Sequence, residues 1–156
     1  MNGATLCSLL AAALMLCCCG TPPPPTLSRQ VATESLARWN AHSLSSYEFE
    51  IENRCYCTIH GNFRVTVRDN RIVDVFDLKY GIHLPEEVYQ RYALFRTISG
   101  LFDQLDTIRL SNPQKLEVSF DPTYGYPTEV AVDGDRGVTD DELVYYVRNL
   151  ETRTIW

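Results

Sequence analysis

Between Tyr47 and Glu52 the chain alternates strictly, with Tyr47, Phe49 and Ile51 apolar and Glu48, Glu50 and Glu52 charged. A period of two with one apolar side predicts a strand that buries one face and leaves the other in water. The same parity puts Asn53, Cys55 and Cys57 on the buried side and Arg54, Tyr56 and Thr58 on the other, so the cysteines continue the core stripe. His60, Gly61 and Asn62 make a turn, and Phe63, Val65 and Val67 share one face of a second strand. Asp69 and Asn70 both tolerate left-handed backbone and close a hairpin onto a third strand. The register of that return strand stays open, because apolar residues fall on both parities from Ile72 to Phe76.

On either side of this block the period becomes helical. From Leu27 to Ser43, Ala32, Leu36 and Trp39 recur at helical spacing among polar residues, a narrow apolar stripe that must rest on a larger surface. After a loop at Gly81, Pro85 followed by Glu86 and Glu87 marks a helix start, proline suiting the first turn and acids its positive end. Leu94, Phe95, Ile98, Leu101, Phe102, Leu105 and Ile108 then fall on one side of a helix and predict the main core element, with Gly100 costing about 1 kcal/mol relative to alanine. Leu116, Val118 and Phe120 alternate again, "DPTYGYP" is turn-rich, and Val130 and Val132 mark another strand. The segment "LVYYVRNL" reads as a strand because Val144, Tyr145, Tyr146 and Val147 favour strands, although Asp140, Asp141 and Glu142 could start a helix. The expected fold is α+β, in the order helix-β-β-β-helix-β-β-β, an antiparallel sheet with helices packed on one face.

The first residues obey neither period. Leu6 to Cys19 form an uncharged, largely apolar run that ends in Cys17, Cys18 and Cys19 and is followed by Gly20, Thr21 and Pro22 to Pro25. The run is shorter than the roughly 20 residues a spanning helix needs and has the length of a signal-peptide core. An apolar signal ending at cysteine resembles a bacterial lipoprotein signal. Residues 1–19 are accordingly expected to be a signal peptide cleaved before Cys19, with Cys18 and Cys17 as the other lipidation sites, and plain secretion as the competing reading. Cys19 is preferred because Leu16 then lies three residues before it. Residues 20–26 form a stiff Pro-rich tether and residues 27–156 a single α+β domain.

Charge narrows the partners. All charged side chains follow Pro25, so the net charge of −6 belongs to the domain and opposes nucleic-acid binding by phosphate neutralisation. Cys55 and Cys57 are the only cysteines after the signal segment, and an oxidising envelope favours a disulfide between them. Strand geometry pulls against it, since residues two apart on a regular strand lie about 6.5 to 7 Å apart, at the upper limit for a disulfide. A bulge would relieve that distance. Two buried thiols and a redox pair are the remaining readings. His60 completes a C-x-C-x2-H run, but its parity is opposed and His42 and His83 are distant in sequence, so no metal is assigned. The acidic stretch Asp133 to Glu142 departs from the EF-hand order at Gly137 and Val144 and reads as a solvated loop. Tyr124, Tyr126, Tyr145 and Tyr146 are either an aromatic binding patch or half-buried sheet residues. No nucleophile elbow, phosphate-binding glycine loop or zinc-protease helix occurs, so no catalytic residue and no cofactor is assigned.

Trp39 before the Tyr47 strand, the Cys55-Tyr56-Cys57 triplet, the Val65/Val67 hairpin, "TISGLF" at Thr97 to Phe102, "SFDPTYGYPTEV" at Ser119 to Val130 and "DDE" at Asp140 to Glu142 occur in an order that resembles the domain of unknown function 6174 family. The resemblance runs from about Trp39 to about Leu150. It implies a small bacterial envelope protein and no assigned activity. The expected function is a non-enzymatic binding module held outside the cytoplasm by a lipid anchor. Its contact surface is one sheet face or the loop Tyr124, Gly125, Tyr126 and Pro127, and its partner an envelope protein or small ligand. A thiol redox or metal-binding protein centred on Cys55 and Cys57 is the alternative.

Overall fold

The computed structural model describes residues 28–55, 58–92, 94–134 and 142–152. Within them the chain folds as α1 (Arg29–Ala41), β1 (Tyr47–Cys55), β2 (Gly61–Arg68), β3 (Arg71–Asp77), β4 (Ile82–His83), α2 (Glu86–Arg91), α3 (Ile98–Leu110), β5 (Lys115–Phe120), β6 (Pro127–Asp133) and β7 (Leu143–Thr152). The strands form one seven-stranded sheet in the order β4-β3-β2-β1-β7-β6-β5, antiparallel at every pairing. With three helices the fold is α+β. Two meanders, β1 to β4 and β5 to β7, meet where the first strand of one pairs with the last strand of the other.

Local chemistry accounts for the element ends. The Ser28 hydroxyl accepts from Val31 N at 3.2 Å to start α1, and Thr97 accepts from Gly100 N at 3.1 Å to start α3. Asp69 and Asn70 both take positive φ, 49° and 61°, giving the tight turn between β2 and β3 that their sequence predicts. The open register of β3 resolves into a bulge. Thr66 pairs with Asp74 and Val67 with Ile72, which leaves Val73 as the extra residue and 46% exposed.

Two expectations need correction. The sheet has seven strands rather than six, because Gly81 (φ 67°) turns the chain back so that Ile82 and His83 pair with Asp77 and Phe76. Asp77 holds that turn by accepting from Lys79 N at 2.8 Å and Tyr80 N at 3.0 Å. The core helix begins at Ile98 rather than Leu94, and the segment from Pro85 is a separate short helix. Thr97 is extended (φ −66°, ψ 164°) as the cap of α3 and interrupts the helix that apolar spacing alone suggests.

Tyr47, Phe49 and Ile51 of β1, Phe63, Val65 and Val67 of β2, and Tyr145 and Val147 of β7 are buried together with Ile98, Leu101, Phe102 and Leu105 of α3. Trp39 of α1 meets Tyr47 edge-on at 5.3 Å and donates from its indole to Ser99 Oγ at 3.2 Å. Phe95 meets Phe63 at 5.1 Å, and Phe102 stacks on Phe120 at 6.0 Å. The alternation of β1 is therefore realised as expected through Asn53, which is buried and donates to Ile59 O at 3.0 Å.

Candidate functional site

The opposite parity of β1 builds a charged surface. Glu48, Glu50, Glu52 and Arg54 pair across to Thr66 and Arg64 of β2 on one side and to Glu151, Arg148, Tyr146 and Val144 of β7 on the other. Glu52 lies opposite Tyr146, and its carboxylate accepts from Arg54 Nε at 2.7 Å and from Arg148 Nη1 at 2.9 Å. Both guanidinium groups sit over the Tyr146 ring, Arg54 at 5.0 Å and Arg148 at 4.8 Å from its centre. The Arg54 hydrogen bond holds the Glu52 carboxyl below its ordinary value against the opposing effect of burial, and the same bond raises the Arg54 guanidinium. Glu52 thus orients two cations on one aromatic ring, while the side chains of Arg54 and Arg148 stay 63% and 52% exposed.

Next to this cluster the sheet is bulged. A step of two along β1, from Glu48 to Glu50, is matched by a step of three along β7, from Arg148 to Glu151, and Asn149 takes φ 53° within the extra length. Its amide donates to Glu50 Oε2 at 3.0 Å, and Arg64 Nη2 lies 3.7 Å from Glu50 Oε1. Glu48 accepts from Thr66 Oγ1 at 3.0 Å. The bulge opens a shallow depression of about 380 Å³ lined by Glu48, Phe49, Glu50, Arg64, Asn149, Leu150 and Glu151. Chemically this surface offers guanidinium edges, carboxylates and one aromatic face to a partner.

The sequence-predicted loop has a different setting. The Asp121 carboxylate accepts from Thr123 N at 2.9 Å and Tyr124 N at 2.6 Å, Gly125 N donates to Asp121 O at 2.9 Å, and Asp121 N donates to Tyr126 O at 2.8 Å. This turn docks on α1. Gly125 (φ 82°) approaches Ser35 so closely that an added Cβ would lie 2.4 Å from its carbonyl oxygen. The His42 ring packs at 4.7 Å on Tyr124, and its Nε2 lies 3.1 Å from Thr123 O, a contact that requires the proton on that nitrogen. Gly125, Tyr126 and Pro127 are buried and Tyr124 is half-buried. Burial also raises the Tyr126 phenol above its ordinary value.

The four candidate tyrosines do not form one patch. Tyr145 is buried in the core and its neighbour Tyr146 stands on the opposite side of β7, as adjacent strand residues must. Cys17, Cys18 and Cys19 lie outside the described residues, as do Cys57 and the side chain of Cys55, so the lipidation, disulfide, thiol and redox readings all fall outside them. Asp140 and Asp141 fall outside as well. Among the described residues no group of three His, Cys, Asp or Glu side chains is placed to hold a metal ion, and no helix is long and apolar enough to cross a membrane. His83, distant from His60 in sequence, contacts Asp74 at 2.7 Å and Phe76 at 4.9 Å.

Sequence reasoning missed Tyr146, Arg148 and Asn149 as partners of β1. The shared parity of Tyr146 and Arg148 in "YYVRN" was visible, but neither the pairing of the last strand with the first nor the bulge that brings in Asn149 was. No curated protein and no solved structure matches this chain. A family model does match, over residues 32–152, and the chain belongs to the family of unknown function DUF6174.

Proposed function

We propose that this chain is a non-enzymatic interaction module of the bacterial cell envelope. It is exported by its N-terminal segment, held at the membrane by lipid on Cys19 (or Cys18 or Cys17), and binds a protein partner through the sheet face that carries Tyr146. In this reading the helices cover the other face and, among the described residues, leave this one open to contact. Support for that packing comes from Tyr47, on the apolar parity of β1, which meets Trp39 of α1 edge-on and accepts from the Ile98 N–H of α3. The observation that carries the reading is the paired stacking of Arg54 and Arg148 on Tyr146, tied by Glu52. Arginine and tyrosine are among the side chains enriched at protein contact surfaces, and here their order is built before any partner arrives, which lowers the entropic cost of binding. A partner with acidic side chains would take the exposed edges of the two guanidiniums bidentately.

The test is site-specific. A photo-crosslinking aromatic placed at Tyr146 in the intact envelope should capture a defined protein, and Arg148→Glu in the same chain should abolish capture while circular dichroism stays unchanged. Capture that survives Arg148→Glu overturns the surface assignment. Single substitutions Cys17→Ser, Cys18→Ser and Cys19→Ser, read by fatty-acid labelling, should remove the label at one position. Label retained by all three variants overturns the anchor.

A further inference from the structure

The sheet has two edges, and they differ. At one, β4 is only two residues long. At the other, β5 runs for six residues, Lys115–Phe120, and no strand among the described residues pairs with its outer side. Gln114 N donates to Gly134 O at 3.1 Å, so by the alternation of an antiparallel ladder Leu116 and Val118 turn their backbone groups toward β6. Lys115, Glu117 and Ser119 turn theirs outward. Such a row of donors and acceptors is a template for another strand unless something blocks it.

From this edge we infer that the chain self-associates, β5 of one copy pairing antiparallel with β5 of a second to make one continuous sheet across a two-fold axis. The side chains select the register. Because only the outward-facing residues can exchange hydrogen bonds, the strand can slide only in steps of two. Centring the axis on Leu116 places Lys115 opposite the second copy's Glu117 and Glu117 opposite its Lys115, two opposite-charge pairs. Centring it on Lys115 sets lysine against lysine, and centring it on Glu117 sets glutamate against glutamate, both of which are unfavourable. Centring it on Val118 sets Glu117 against Ser119 and leaves Lys115 without a partner, so that register holds no opposite-charge pair. The reach is adequate, since Lys115 Nζ already meets Glu117 Oε2 at 3.0 Å within one copy, with the two side chains 55% and 33% exposed. A lone lysine here would guard the edge. Followed by glutamate two residues on, it makes the edge complementary to itself and to no register but one, as a two-fold contact requires.

This inference concerns the β5 edge and is independent of the face carrying Tyr146. Sedimentation of the full chain in detergent over a concentration series should show a monomer–dimer equilibrium that weakens with added salt. Lys115→Glu and Glu117→Lys should each weaken the dimer about tenfold or more, since two attractive pairs become two repulsive ones. The double exchange Lys115→Glu with Glu117→Lys should restore it, which separates lost complementarity from lost folding. A monomer at every concentration overturns the inference, and so does a dimer that either single reversal leaves intact.

Discussion

The hydroxyl of Tyr47 accepts a hydrogen bond at 3.0 Å from the backbone N–H of Ile98, so the first strand caps the core helix across 51 residues of sequence. The first N–H groups of any helix lack partners within it. Thr97 satisfies Gly100 N, and Tyr47 satisfies Ile98 N from inside the core, where water cannot substitute. Tyr47→Phe leaves that donor buried and unpaired, at an expected cost of about 1 to 3 kcal/mol. Urea unfolding followed by circular dichroism measures it. An unchanged midpoint would mean that the capping bond contributes nothing.

Tyr145 gives the opposite expectation for the same substitution. It is 2% exposed, and its hydroxyl has no hydrogen-bond partner among the described residues. Removing an unsatisfied buried hydroxyl relieves a desolvation cost and leaves no group orphaned. Tyr145→Phe should therefore be neutral or raise stability by about 1 kcal/mol. A loss comparable to that of Tyr47→Phe would show that the hydroxyl is engaged after all.

Both phenols shape the response to alkali. Burial pushes Tyr47 up to about 12, with hydrogen bonds from Ile98 and Thr97 opposing, and burial also raises Tyr145. Tyr89 and Tyr126 are raised by the same cause. A phenol with a higher pKa in the folded state loses its proton first in the unfolded chain. The stability it contributes is complete below the ordinary value of 10.0 and is lost as pH rises through about 12. Unfolding free energy should therefore fall steeply between those two pH values. In Tyr47→Phe the fall should be shallower, by up to about 1.4 kcal/mol per pH unit for the removed group. Equal slopes in the two proteins would exclude Tyr47 as a contributor.

What the sequence disclosed and what it hid have physical reasons. The alternation of Tyr47 through Glu52 was legible because a half-buried strand writes its two environments onto successive residues. The Asp69-Asn70 turn was legible because few residues accept left-handed backbone. The break at Thr97 was hidden, because Leu94 and Phe95 fit the helical stripe although Phe95 reaches the core from outside the helix, against Phe63. β4 was hidden because two residues have no period. The surface around Tyr146 was half legible. Polar parity in β1 and β7 could be read separately, but that Glu52 faces Tyr146 depends on a pairing between residues nearly a hundred positions apart, and single-chain patterns carry no such information. The bulge at Asn149 adds a register step that alternation cannot foresee.

The "TYGYPT" motif also has a part in the fold. Asp121 closes the turn, and Gly125, at φ 82°, lets the backbone lie against Ser35 of α1, where the smallest side chain would meet the carbonyl oxygen at 2.4 Å and Arg38 Cβ at 3.0 Å. The helix has few other holds on the sheet, Trp39 being its one buried aromatic. Gly125→Ala combines a left-handed conformation unsuited to alanine with displacement of α1, for an expected loss of about 2 to 4 kcal/mol. Gly81→Ala is the control, since Gly81 has φ 67° but nothing within 4 Å of an added Cβ, so it pays only the conformational part, about 1 kcal/mol. Urea unfolding measures both, and the fluorescence of Trp39 in a Trp156→Phe background reports whether α1 has shifted. A larger loss at Gly125 together with an altered Trp39 spectrum identifies the turn as the latch of α1. Equal losses at the two glycines would mean that the turn does not hold α1 in place.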